Sequence, residues 1–517
     1  MLRPTSLAVP TPEPRLGWLG PALAALATFL LHAACWGRYG IFRDELYFLV
    51  CGDRLSTGYV DQPPGIALVA RFAHELFGTW VPGLRLFPWL AAGGTVYLAG
   101  RLAARWSGSG AAASLTAVAT FSCLELRGTA HILSMNAFEP LLVLAAVYLL
   151  LRLSEGDDPR LWVAAGGLLG LAVLFKYTAA PLGLALLAGM VVTPARRAFR
   201  TPWAAVGAVF GFLVVLPNLV WQAAHGFPFL ELVRNGVAFK NVPTTPLAFA
   251  SGLLLESNPL NAPLWLGGEV WLLVAPRARA ARFAGVAGAI QLILLALGHA
   301  KPYYASALLP VLLAGGGAAF AALVPPRTAQ GTYGALLAAS ALVLAPLAIP
   351  LLPERSFLAY QAVLSIRPAP LEKLAQSPLP QMYADQHGWL ELAAGVARVY
   401  ASLAPEERAR AAVYGKNYGV ASAVEILGPG FGMPRGLAVS GHNQFWFWGL
   451  PAGRGDPLLV VSGAREDCGG LFREWVLGEQ LPPTPYAMPY ENGHAIWICR
   501  GARSPLTALP TWVRHFE

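Results

Sequence analysis

Charge is what this 517-residue chain has least of: Asp, Glu, Lys and Arg make up 13% of it, where an ordinary soluble protein carries about a quarter. Hydrophobic residues supply 56%, which excludes a disordered chain and argues against a wholly soluble one. Lysine is scarce, with only Lys176, Lys240, Lys301, Lys373 and Lys416 among 37 Lys and Arg. The arginines come as ones to threes between apolar runs, never as a dense stripe, so nucleic acid is not an expected partner. There is no H-E-x-x-H, no G-x-x-x-x-G-K-[ST] and no pair of C-x-x-C, which leaves zinc hydrolysis and nucleotide-driven transport without support. The G-x-G within Gly428 to Gly432 reads as a loop. D-x-D is missing as well, and with it the usual metal clasp for a nucleotide-sugar diphosphate.

Long apolar runs, by contrast, are abundant. They predict about eleven membrane spans near 17–36, 88–104, 110–124, 137–153, 161–175, 179–193, 203–221, 262–275, 283–298, 304–323 and 332–351. Several fall short of the roughly 20 residues of a straight span and imply tilt or shelter by neighbours. Alternate connections carry the basic residues: Arg3 and Arg15, Arg101 and Arg105, Arg152 and Arg160, Arg196, Arg197 and Arg200, Arg277, Arg279 and Arg282, and Arg327. By the positive-inside rule the N-terminus is cytoplasmic, and the tail lies on the opposite side. The formal net charge of +9 belongs to residues 1–352, with 23 basic against 14 acidic residues, while 353–517 balance at 14 and 14.

The expected architecture is therefore an all-α polytopic membrane domain, 1–352, with long outer loops 37–87 and 222–261, followed by a small soluble α/β domain, 353–517. In the tail, Ala411 to Tyr414, Leu458 to Val461 and Ala495 to Cys499 read as strands. Trp389 to Leu403 and Gly419 to Leu427 read as amphipathic helices. Cys35, Cys51 and Cys123 read as buried hydrophobes, and Cys468 with Cys499 as a candidate disulfide in an oxidising compartment.

The first outer loop concentrates the chemistry: Arg43-Asp44-Glu45-Leu46-Tyr47, then Asp61-Gln62-Pro63-Pro64-Gly65, then Arg85-Leu86-Phe87-Pro88. Ionisable groups at a membrane surface are costly unless paired or used, so the adjacent carboxylates are either a site or a solvated loop start neutralised by Arg43 or Arg38. The order span, R-D-E-x-x-Y, D-Q-P-P-G, R-L-x-P resembles the bacterial glycosyltransferase family 39, related to protein O-mannosyltransferases and the lipid A aminoarabinose transferase. Met135-Asn136-Ala137-Phe138-Glu139-Pro140, Lys176-Tyr177, Pro217 to Gln222, Ser257 to Pro263, Gly298 to Tyr304, Gly441 to Trp446 and Tyr490 to Gly493 extend the likeness over almost the whole chain.

The resemblance implies a GT-C fold in a bacterial inner membrane, with an active site at the outer face. The donor would be a polyprenyl-phosphate-linked sugar, and the acceptor a glycolipid, glycan or protein hydroxyl. No cofactor or metal ligand set is expected, and the remaining partners are membrane lipids. Asp44 would act as base in an inverting transfer, with Glu45 orienting it or serving as the base itself. Lys301, His299, Arg85 and Lys176 would meet the donor phosphate. Tyr303 and Tyr304 would stack on sugar or anchor at the interface. Gln62 and Asn136 stand where relatives commonly have lysine and aspartate, and would hydrogen-bond donor or acceptor. Glu139 is either an acid in Asn136's stead or a paired structural residue. The outer domain would help recognise the acceptor. A secondary transporter or lipid flippase is the alternative, though no internal repeat is visible and the polar groups gather on one face.

Overall fold

The computed structural model describes residues 17–324, 327–366, 372–462, 470–504 and 506–517; Arg3, Arg15 and Cys468 lie outside them. Every predicted span corresponds to a helix. The first apolar run forms α1 (Leu19–Ala34), and the loop after it folds into α2 (Arg43–Asp53) and α3 (Gly65–Phe77). Next come α4 (Val81–Ser107), α5 (Gly110–Ser122), α6 (Leu124–His131), α7 (Phe138–Glu155), α8 (Leu161–Phe175) and α9 (Ala179–Val192). After α10 (Pro202–Ala224), the second long loop holds α11 (Pro228–Asn235) and α12 (Pro246–Glu256). The bundle closes with α13 (Ala262–Val274), α14 (Arg282–Leu297), α15 (Leu309–Leu323) and α16 (Arg327–Val343).

One expectation differs from the structure. The span expected near 88–104 belongs to a longer helix, since α4 begins at Val81 and continues through Pro88, which takes Arg85 out of the loop and into a helix. The short α6 lies in the connection between the spans expected near 110–124 and 137–153. Among the described residues, only Met135–Glu155 and Pro202–Ala224 are long and apolar enough to cross a bilayer unaided; α1, α5, α8, α9, α12, α14 and α15 are apolar but shorter.

Small residues set the helix spacing. On α8 and α10, Gly166, Gly170, Gly207 and Gly211 form a G-x-x-x-G pair: a Cβ on Gly166 would lie 2.0 Å from the Gly207 carbonyl oxygen, and one on Gly211 2.6 Å from that of Gly166. Backbone meets backbone there, the close approach that small residues permit between apolar helices. Gly268 and Gly316 do the same for α13 and α15, each within 2.1 Å of the partner carbonyl if given a Cβ.

The basic connections share one end of the bundle. Arg105 pairs with Glu155, and Arg152 donates to Asp157 at 2.7 Å. Trp162 donates to the Ala198 carbonyl and Ser154 to that of Ala280. The opposite end carries α2, α3, α6, α11, α12 and the remaining chain.

That remainder begins with α17 (Glu354–Leu364), α18 (Gln381–Ala384), α19 (Trp389–Ser402) and α20 (Pro405–Arg410). Strands β1 (Ala412–Gly415), β2 (Ala438–Val439), β3 (Leu458–Ser462), β4 (Phe472–Gln480) and β5 (Ala495–Ala502) make one sheet in the order β2-β1-β3-β5-β4. Strand β1 runs parallel to β2 and β3, and β5 antiparallel to β3 and β4. Two further helices, α21 (Tyr418–Leu427) and α22 (Gln444–Trp448), complete the fold. The three strand and two helix expectations in the tail match these elements to within a few residues. Gly428–Phe431 is a 3-10 turn, as a loop reading of that G-x-G required. Cys35, Cys51 and Cys123 are buried thiols, and Cys499 is disulfide-bonded.

One apolar core joins the sheet region to the first loop. Leu46, Leu49, Tyr59, Ile66 and Leu84 pack in the same cluster as Leu392, Val396, Val420, Leu459 and Ile496. The loop motif is thereby held between bundle and sheet.

Candidate active site

Phe42, in an extended conformation, starts α2, and the Glu45 side chain turns back to accept from its backbone N–H at 2.8 Å, closing the first turn. The two adjacent carboxylates then point in different directions, as neighbours on a helix must. Glu45 is fully buried. It accepts from Arg85 Nε and Nη2, both at 2.8 Å, and from the Leu133 backbone N–H at 2.7 Å. Arg85 also has no exposure and makes further contacts with the Gly40 carbonyl, Gln386 and His131. Glu45 has all its acceptor positions filled, so the geometry fits it as a positioning group, and most of Arg85's donors are already engaged inside the protein.

Asp44 is different. Its side chain is 34% exposed. Its Oδ1 accepts from the Tyr418 hydroxyl at 2.8 Å and from Arg43 Nε at 3.3 Å. Tyr418 opens α21, whose N-terminus is capped by Asn417 through the Val420 N–H at 3.0 Å. A carboxylate from the first loop is thus held by a hydroxyl from the sheet region.

A second carboxylate stands near it. Asp61 accepts from the Tyr47 hydroxyl at 2.9 Å and from Asn443 Nδ2 at 3.2 Å. Burial first, and the neighbouring Asp44 charge further down, push its carboxyl up to about 6, against the pull of the Tyr47 and Asn443 hydrogen bonds. The rings of Tyr47 and Tyr418 lie 4.8 Å apart, so the two supports pack on each other. Gln444 accepts from the Val60 N–H at 3.1 Å and fixes the backbone beside Asp61.

Arg43 ties this pair to a further acidic group. Its Nη1 donates to the Tyr490 hydroxyl at 2.9 Å, its Nη2 lies 3.6 Å from Asp385, and its guanidinium sits over the Tyr418 ring. Asp385 is buried with neither oxygen in a hydrogen bond. Burial outweighs the pull of Arg43, and Glu491 and Asp44 add to it, holding the Asp385 carboxyl up at about 7.

The remaining expected residues divide. The Lys301 ammonium makes no ion pair or hydrogen bond among the described residues; burial lowers its pKa, with Glu372 opposing and Lys240 and Arg43 adding repulsion. Lys240 lies 3.8 Å from Glu372. His299 is exposed and held at φ 53°, with Nδ1 2.8 Å from the Thr244 carbonyl. Lys176 faces Glu139 at 3.4 Å and covers the rings of Tyr303 and Tyr304 at 5.1 and 4.9 Å. Glu139 also accepts from Thr178 at 2.7 Å, the paired reading of that residue. Gln62 is buried against Cys51, to which its Nε2 donates at 3.4 Å. Asn136 lines a small internal cavity of about 10 Å³ with Thr28, Thr95, Thr120 and Arg127, room for about one water.

Asp61, Tyr418, Asn443, Asp385 and Tyr490 were not singled out from sequence as site residues. Asp61 and Asn443 sat inside motifs already noted. Nothing local marks Tyr418 or Asp385, which meet the first loop only through the fold. Near Asn443, His442, His515 and Glu517 bring one potential ligand atom each within 4.8 Å of one another. The two ring nitrogens of His442 already face the Tyr418 N–H and the Glu517 carbonyl, so a metal there would have to displace a hydrogen bond.

Residues 61–221 match the model of the dolichyl-phosphate-mannose-protein mannosyltransferase family. No curated protein sequence matches significantly. The chain is similar to the crystal structure of ArnT from Cupriavidus metallidurans in the apo state, at 17% identity and TM-score 0.58, covering 96% of this chain and 99% of that one. The same ArnT bound to undecaprenyl phosphate matches at 17% identity and TM-score 0.58, covering 96% and 100%. The archaeal oligosaccharyltransferase AglB from Archaeoglobus fulgidus matches more loosely, at 14% identity and TM-score 0.47, covering 80% and 64%. The fold is that of the GT-C glycosyltransferases, and the resemblance carried by the loop motifs is borne out.

Proposed function

We propose that this chain is a membrane glycosyltransferase that moves a sugar from a polyprenyl-phosphate donor to an acceptor hydroxyl, at the end of the bundle away from the basic connections. The observation that carries the reading is an accessible carboxylate, Asp44, and an ammonium, Lys301, that has no counter-ion bonded to it, each in electrostatic reach of Arg43. The undecaprenyl phosphate bound by the similar ArnT supports a lipid-phosphate donor.

Asp44 accepts the proton of the acceptor hydroxyl as that oxygen attacks the anomeric carbon. The bond from this carbon to the phosphate oxygen breaks on the opposite side, with inversion, and polyprenyl monophosphate leaves. Lys301, with Lys240 beside it, stabilises the charge that grows on the departing phosphate. Asp61 holds the neighbouring position and hydrogen-bonds acceptor or sugar. An open groove of about 400 Å³, lined by Leu55, Pro64, Leu68, Leu174, Val214 and Pro217, offers the prenyl chain an apolar path beside α10, whose surface is almost wholly on the outside of the bundle. The basic connections support an N-terminus in the cytoplasm and a sheet region in the periplasm. A transporter or flippase explains neither the single-ended polar site nor the lipid-phosphate ligand of the similar fold.

Reconstitution with a panel of polyprenyl-phosphate sugars tests the reading by following sugar release. Asp44→Asn is expected to lose about a hundredfold or more in rate. Parental turnover by that variant would place the base elsewhere.

A further inference from the structure

A second polar group lies at the same end of the bundle, unused by the steps above. Glu125 stands in the first turn of α6 and Glu256 closes α12. A Cβ on Gly252 would lie 2.5 Å from the Pro302 ring, so α12 is pressed onto the turn that carries Tyr303. Both glutamates act electrostatically on the Tyr303 hydroxyl, and Lys176 lies over that ring. Four shielded atoms here have no hydrogen-bond partner: Glu125 Oε1, Glu256 Oε2, Glu139 Oε2 and Lys176 Nζ. Glu139 is 1% and Lys176 8% exposed. Native interiors hold few such atoms, and their concentration in one place calls for a ligand or ordered water to complete them.

The chemistry of the group selects among ligands. Glu139 and Lys176 neutralise each other at 3.4 Å. Burial holds the Glu125 carboxyl above its ordinary range, although Lys176 pulls the other way. Burial does the same to Glu256, and the charge of Glu125 adds to it. Two carboxyls that keep their protons both donate and accept, which matches neighbouring hydroxyls. A phosphate would meet carboxyl oxygens with the one ammonium already paired.

We propose that Glu125 and Glu256, with Lys176 and Glu139, form a subsite for the hydroxyls of the donor's sugar, separate from the phosphate contacts of Lys301. This rests on the glycosyltransferase reading, and predicts that the pair acts on the sugar and not on the lipid phosphate.

The test compares two affinities of the full-length protein in lipid nanodiscs. One is for undecaprenyl monophosphate, the other for undecaprenyl-phosphate-linked mannose, glucose, galactose and arabinose. The parent is expected to bind at least one sugar-bearing lipid about tenfold more tightly than the bare monophosphate. Glu125→Ala and Glu256→Ala should remove that increment and leave monophosphate affinity within twofold. Glu125→Gln and Glu256→Gln should keep most of it, because an amide also donates and accepts. No increment in the parent for any of the four sugars, an increment that survives both alanine variants, or glutamine variants as impaired as alanine would each overturn the proposal. Lost monophosphate affinity in the alanine variants would overturn it too, by showing a phosphate or folding role. Failure of the glycosyltransferase reading is seen separately, as parental turnover by Asp44→Asn.

Discussion

Replacing Glu45 and Asp44 one at a time by their amides should give opposite kinds of damage, although the two are adjacent. Glu45 accepts four hydrogen bonds from donors at 2.7 to 2.8 Å, and with Arg85 it forms an ion pair without exposure on either side. In Glu45→Gln one oxygen keeps two of those donors. The amide NH₂ faces the other two, donor against donor, and Arg85 is left buried without its counter-charge. Breaking a buried pair from one side typically costs about 3–5 kcal/mol, a large part of the roughly 5–15 kcal/mol that holds a folded domain together. In Asp44→Asn the amide oxygen still accepts from Tyr418. The lost partner charge is a third exposed, so the cost is about 1 kcal/mol or less. Thermal unfolding in detergent, followed beside single-turnover sugar release, separates the two. Glu45→Gln should unfold early and lose activity in proportion to lost folded protein, while Asp44→Asn should melt like the parent and be nearly inactive. Equal melting of the two variants, or an active Asp44→Asn, would refute the division of labour between them.

Lys301→Ala should weaken polyprenyl monophosphate binding by about tenfold or more, as expected for loss of a charge-assisted contact. Because Lys301 is a half-buried ammonium with no bonded counter-ion among the described residues, the same variant should melt no lower than the parent. Tyr418→Phe deletes the hydroxyl bonded to Asp44 and should reduce kcat about tenfold with KM unchanged, since the phenyl ring still packs on Tyr47; a change confined to KM would count against a positioning role. For Asp385 the sign follows from its raised carboxyl. The folded chain binds its proton more tightly than the unfolded one, so this residue's contribution favours folding at low pH. That contribution is lost as pH rises from about 4 toward 7. Melting measured across that window should fall less steeply in Asp385→Asn than in the parent, with Asp61 supplying part of the slope that remains.

Helices were legible in the sequence because apolar runs have length and edges, and the tail strands because β-branched clusters interrupt polar segments. Pro88 misled because a proline inside a long helix looks like a start when tertiary packing around it is unseen. The site was legible in part. R-D-E drew attention to Asp44 and Glu45, but choosing between them needed the fourfold saturation of Glu45, which depends on Leu133 and Arg85 far along the chain. His299 looked equivalent to Lys301 from two residues away. A left-handed backbone at position 299 turns it onto the Thr244 carbonyl instead. Gln62 stood in a motif that drew attention, but its burial against Cys51, to which it donates, depends on packing that no local pattern reveals.

The sheet region deserves a stronger role than acceptor recognition. The groups that fix the first-loop chemistry come from it: Tyr418 on Asp44, Asn443 on Asp61, Gln444 on the Val60 N–H, Tyr490 and Asp385 on Arg43. Arg54 and Asp53 at the end of α2 are likewise met by Glu425 and Arg435. A charge-assisted hydrogen bond contributes about 1.5–3 kcal/mol, so losing several together leaves α2 and the Asp61 turn without a fixed geometry, and misplacement by about 1 Å can cost a hundredfold in rate. Removal of residues 353–517 should therefore abolish turnover of every acceptor, and should expose the 37–87 segment to limited proteolysis while the bundle stays intact. A truncated protein that kept its rate on simple acceptors and lost only discrimination among them would show that the region recognises acceptor and does not build the site.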